Sequence, residues 1–146
     1  MTRKPYFFNG QRARRRVFAA VNDKIRFENY IETGTYLGMT AYFLAATAAK
    51  RRAQVYSCEI NAEFFAVASR SLRWLNNVHL HHGDSVAFLR ALDARVSESI
   101  NFIYLDAHWY DQLPLADELA VICNWRNSVV MIDDFKVPFD RGFGWD

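Results

Sequence analysis

The stretch YIETGTYLGMT, residues 30–40, changes its hydrophobic period in the middle. Before Gly34 the segment ENYIET has the length of a strand, and from Thr40 onward TAYFLAATAAKRR repeats its apolar residues at helical spacing. Gly34 and Gly38 punctuate the joint. A glycine there lets the chain take a positive φ and lets the backbone approach a neighbour closely. A strand feeding straight into a helix is the opening half of a crossover, and the rest of the chain decides whether the unit recurs.

It recurs along the whole sequence. QVYSCEI reads as a strand followed by the helix NAEFFAVASRSLRWL, with Asn61 as its N-cap. VHLHHGD is a strand followed by the helix SVAFLRALDARV. INFIYLD is a strand followed by the helix PLADELAVICNW, with Pro114 at its first turn, and SVVMIDD is a fifth strand. A helix over QRARRRVFAAVNDKIRF precedes them all. Such alternation with short polar joints implies right-handed crossovers and a parallel sheet covered on both faces. The expectation is a doubly wound α/β layer of five strands in a single domain over residues 1–146, without internal repeats or a linker.

Bulk composition narrows the function. A chain of 146 residues, 51% hydrophobic and 23% charged, is globular, and a net charge of +2 argues against nucleic acid as the main partner. Arg12, Arg14, Arg15 and Arg16 form a local basic cluster, read as a solvated helix face rather than a phosphate site. Cys58 and Cys123 have no metal-type spacing, which suits a reduced protein. The N-terminus lacks the apolar core of a signal peptide, and the longest apolar run, residues 41–49, is too short for a bilayer. A soluble protein kept in the cytoplasm, with no membrane partner, is expected.

An open parallel sheet binds ligands outside the carboxyl ends of its strands, where strand order reverses. Those ends carry Glu32, Glu59, Asp84, Asp106 and the pair Asp133 and Asp134. Acids gathered on one edge repel one another unless a cation sits among them. Each also has a plainer role open to it. Gly34 makes the turn and Gly38 packs helix on sheet, or both admit a ligand's backbone approach; the spacing G-x-x-x-G lacks the dinucleotide fingerprint. Glu59 either accepts from a ribose diol or serves the next helix N-terminus. Asp84 either accepts from an adenine amino group or, like Ser85, caps the next helix. Asp106 either caps a turn or binds something, and His79, His81 and His82 alternate along a strand in a structural role.

In this order and spacing, ETGTYLG, YSCEI and HHGDS resemble class I S-adenosylmethionine-dependent methyltransferases, over nearly the whole chain after Phe27. The resemblance implies a Rossmann-like sheet of order 3-2-1-4-5, with S-adenosylmethionine as cofactor and Glu32, Gly34, Gly38, Glu59, Asp84, Ser85, Asp106 and Trp109 around it. Glu32 would lie near the methionine end and Trp109 would stack on adenine, although Trp109 also suits the edge of the core. The family has two further strands, which nothing after Asp134 supplies. The expectation is therefore a chain that is C-terminally incomplete, or a sheet edge completed by another copy in a homo-oligomer.

Within that class, YLDAHW followed by VVMIDDF is similar to the metal-dependent O-methyltransferases that act on catechols and macrolide sugars. The similarity implies Mg²⁺ held by Asp106, Asp133 and Asp134, lowering the pKa of a bound substrate hydroxyl. The acceptor would be a small hydroxylated molecule. The lysine base of the catechol enzymes is absent, because Ala107 intervenes and Tyr110 stands in its place. His108, whose ring titrates near neutral pH, is the candidate base, with Lys136 and Tyr110 as alternatives. Three other readings compete: a metal-independent methyltransferase using Asp106 or His108, a nicotinamide-dinucleotide oxidoreductase domain, and a non-catalytic domain using the arginine cluster.

Overall fold

The computed structural model describes residues 6–92, 94–107 and 113–133. A 3-10 turn, Phe7–Gly10, leads into helix α1, Arg12–Lys24. Then follow β1 (Asn29–Thr33), α2 (Met39–Ala49), β2 (Gln54–Glu59), α3 (Ala62–Leu72), β3 (Val78–His82) and α4 (Ser85–Ala91). The remainder is α5 (Ala94–Glu98), β4 (Asn101–Leu105), α6 (Leu115–Ile122) and β5 (Ser128–Ile132). All strands are parallel, in the order β3-β2-β1-β4-β5, as expected.

The chain lays β1, β2 and β3 outward to one side, then returns to place β4 on the other flank of β1. The central strands β1 and β4 are buried at every position, whereas β3 and β5 at the edges are only partly covered. Successive side chains alternate between faces. Tyr30, Phe102 and Tyr104 join Phe8, Phe18, Phe27 and Leu44 on one face, while Ile31, Ile103 and Leu105 join Phe88, Leu89 and Ile122 on the other.

Two local readings differ from expectation. The single helix anticipated over residues 85–96 is two, because Leu92 takes an extended conformation (φ −63°, ψ 137°) after Ala91. Phe88 and Leu89 before the break and Val96 after it all still reach the core, so the break forfeits little burial. Gly38, read either as approaching a ligand or as packing helix on sheet, packs helix on helix. A Cβ there would lie 3.0 Å from Leu72 and 3.4 Å from Ala68 of α3, at a φ of +85° that strains any other residue. Among the described residues, no helix is long and apolar enough to cross a membrane.

Candidate functional site

The site forms where β1 turns away from β4. The amide of Asp106 donates to the Thr33 carbonyl at 3.1 Å, and the Gly34 amide to the Cys58 carbonyl at 3.1 Å. Gly34 sits at φ +83°, and a Cβ on it would fall 2.4 Å from the Asp106 carbonyl oxygen. Only glycine lets the two strand ends come this close. Gly34 and Ala107 form a shared wall between two cavities.

The first cavity, about 340 Å³, is lined by Ile60, Gly83, Asp84, Ser85, Val86, Leu113 and Asp117, among others. Asp84 caps α4, accepting from the Ala87 amide at 2.8 Å, so its capping role is present alongside its place on the cavity wall. Ser85 is buried on this wall, near Glu118 of α6. Burial pushes the Glu118 carboxyl up, and the nearby Ser85 and Thr33 side chains offset part of that rise.

The second cavity, about 250 Å³, is lined by Asn9, Tyr36, Glu59, Phe64 and Asp106 with the shared wall. Glu59 is 3% exposed, and its two oxygens accept the amides of Tyr36 at 2.7 Å and Asn61 at 2.8 Å. A carboxylate has about four lone-pair sites, so this grip orients Glu59 and leaves acceptor capacity for a ligand. Tyr36 is itself held at φ 49°, a conformation costing a non-glycine residue about 1–2 kcal/mol, and its ring meets Phe64 edge to face at 4.6 Å. Asn61 caps α3 as expected, accepting the amides of Glu63 at 2.9 Å and Phe64 at 3.1 Å.

Glu32 is 1% exposed and lines neither cavity. Burial pushes its carboxyl well above the ordinary range; the Ser57 hydroxyl, donating at 2.6 Å, offsets part of that, and the charges of Asp106 and Glu59 add to it. Gly38 stands among the α2–α3 contacts and lines neither cavity. His108, Trp109 and Asp134 lie outside the described residues.

Sequence reasoning missed the contribution of the N-terminal segment. Asn9 reaches across the sheet edge, its amide donating to both oxygens of Asp106 at 3.3 Å and to Asp133 Oδ2 at 2.8 Å. Phe8, fully buried, anchors this turn against Phe18, Phe43 and Tyr104, and its amide donates to Thr40 Oγ1 at 3.0 Å. The Tyr104 hydroxyl donates to Asp133 Oδ2. Burial, reinforced by the nearby Asp106 charge, holds that hydroxyl far above its ordinary range, so it remains a donor.

Arg14 departs from the reading of its cluster as a solvated face, whereas Arg12 and Arg16 are exposed. Its guanidinium makes an ion pair with Asp133 Oδ1, with the two side chains 12% and 0% exposed. Arg14 shares the inward stripe of α1 with Phe18 and Asn22, at spacing of four. This geometry does not fit the expected Mg²⁺ ligation at Asp133. Arg14, Tyr104 and Asn9 take three of its lone-pair sites, and a side chain without exposure leaves no room for the waters Mg²⁺ retains. A dication about 4 Å from a guanidinium is opposed by roughly 8 kcal/mol at an effective dielectric constant of ~20. Among the described residues no group of three or more His, Cys, Asp and Glu side chains is arranged to hold an ion.

The fold places an acid-lined crevice at its switch point. Residues 31–135 match a family described as a methyltransferase domain, and the chain belongs to that family. Solved structures share the architecture. A Podospora anserina methyltransferase with SAH bound is 17% identical, with a TM-score of 0.69 over 85% of this chain and 53% of its own. The Streptomyces achromogenes O-methyltransferase TomG, involved in tomaymycin synthesis and in complex with SAM, is 16% identical, with a TM-score of 0.68 over 84% and 55%. The 23S rRNA methyltransferase ErmE is 18% identical, with a TM-score of 0.56 over 81% and 45%. The chain thus spans about half the length of these structures. No curated protein sequence matches it significantly.

Proposed function

We propose that this chain binds S-adenosylmethionine and transfers its methyl group to a hydroxyl of a small molecule. The observation that carries the reading is the charge of the crevice. Among the described residues lining the two cavities, Asp84, Asp117, Glu59 and Asp106 are acids and none is basic. A sulfonium is favoured by such walls, whereas the pyrophosphate of a nicotinamide dinucleotide is repelled. The dinucleotide reading loses ground on the same account, and a phosphate-binding role for the arginine cluster loses ground because Arg14 is committed to Asp133.

The cofactor, when bound, supplies a methyl group on a cationic sulfur that leaves readily. The chain's own residues supply position. Glu59, oriented by two amides, accepts the ribose diol; the apolar rim of Ile60, Val86 and Leu113 takes the adenine beside Asp84. Asp106, on the wall next to Glu59, would receive the acceptor's proton as the methyl group passes from sulfur to the acceptor oxygen, with His108 kept as the alternative base. A small hydroxylated acceptor is supported by the size of the cavity beside Asp106, about 250 Å³, and by the likeness to the O-methyltransferase TomG.

Calorimetric titration with S-adenosylhomocysteine and with NADH tests this. Saturable binding of the first and none of the second is expected. Glu59→Gln should weaken it about 10- to 150-fold, the loss of ~1.5–3 kcal/mol from hydrogen bonds to a charged acceptor. Preferential binding of NADH would overturn the proposal.

A further inference from the structure

We infer that Arg14 is the built-in cation of this site, holding Asp133 and, through Asn9, Asp106, so that Asp106 and Asp133 work without a divalent ion. The observations are independent of what the cofactor is. Asp133 is fully covered and saturated on three sides by Arg14, Tyr104 and Asn9. The Asn9 amide spans Asp106 and Asp133, the bridging position an ion shared by two carboxylates would fill. Arg14 is carried by α1, whose Phe18 and Asn22 are buried and whose Asn22 Oδ1 accepts the Tyr30 hydroxyl of β1 at 2.7 Å. The helix is thus fixed to the central strand, which holds the guanidinium against Asp133.

The consequence for the reaction rests on the functional reading proposed above. Without an ion to polarise the acceptor, Asp106 must take its proton directly. Asn9 and Arg14 then act as positioning residues, setting the direction of Asp106 and offsetting the charge of Asp133.

The test is Mn²⁺ binding followed by electron paramagnetic resonance on the full chain, with S-adenosylhomocysteine calorimetry on the same sample. The wild-type chain is expected to show no saturable Mn²⁺ site at Asp133 up to about 1 mM, and Arg14→Gln to bind Mn²⁺ at least ~10-fold more tightly than wild type once the repelling charge is gone. One Mn²⁺ per wild-type chain, lost in both Asp106→Asn and Asp133→Asn, would overturn the inference. So would a folded Arg14→Gln chain that binds no better than wild type. Should Arg14→Gln fail to fold, the wild-type titration decides alone, with Arg14→Lys as the charge-retaining control. Failure to bind S-adenosylhomocysteine counts against the functional reading and leaves the role of Arg14 intact.

Discussion

Replacing Gly34 by alanine tests the joint on which both cavities depend. The new Cβ would lie 2.4 Å from the Asp106 carbonyl oxygen, 2.8 Å from its carbonyl carbon and 3.1 Å from the Ala107 amide nitrogen. The first of these is about 1 Å inside ordinary contact, and every atom struck is backbone, so no side chain can rotate away. Holding alanine at positive φ costs about 1–2 kcal/mol, and forcing apart a packed contact about 1–3 kcal/mol, giving a total near 2–5 kcal/mol. For a chain of this size that is a fall in melting temperature of roughly 6–20 °C. Gly10→Ala is the control, because Gly10 also has positive φ (+71°) but, among the described residues, a Cβ there meets nothing nearer than 3.6 Å. It should lose only the conformational cost of about 1–2 kcal/mol, a few degrees in melting temperature. Differential scanning calorimetry on the two variants separates the effects. A Gly34→Ala chain melting with or above Gly10→Ala would refute the close-approach argument.

Other substitutions probe the surroundings. Glu118 has its folded-state pKa raised above the ordinary 4.5, mainly by burial, so its contribution to stability is fully present below that value and is lost as pH rises through the folded pKa. The stability of Glu118→Gln relative to wild type, from urea unfolding at a series of pH values, should therefore increase upward from pH 4.5; a decrease contradicts the assignment. Tyr104→Phe removes a fully buried donor from Asp133 and should cost about 1–3 kcal/mol in the same assay. Phe8→Ala empties a fully buried ring site and should cost about 3–5 kcal/mol; a loss under ~1 kcal/mol would show that the N-terminal turn is not anchored as described.

The sheet was legible because its signals are local. Ile31 and Tyr30, or Ile103 and Phe102, are apolar on both faces, as a central parallel strand requires, and glycine or an acid marks each carboxyl end. The acids at those ends could be gathered on one rim from topology alone, and Glu59 and Asp106 do line one cavity. What topology cannot supply is the contact of a distant segment. Asn9 lies 97 residues from Asp106 and 124 from Asp133, and nothing near it in sequence marks it as a bridge. Arg14 was more accessible: its spacing of four from Phe18 places it on the buried stripe, but a run of arginines masks that stripe in composition. The cation required by the converging acids was thus present in the chain, in a helix read as solvent-facing. The packing of Gly38 was hidden for a related reason, since it depends on which helix faces which.

The most direct test of the central claim is a crystal structure of the chain with S-adenosylhomocysteine bound. The account predicts ribose hydroxyls within hydrogen-bonding reach of Glu59, adenine in the cavity beside Asp84 and Ile60, and sulfur on the Asp106 side of Gly34. Ligand density elsewhere on the molecule, with both cavities filled only by water, would contradict it.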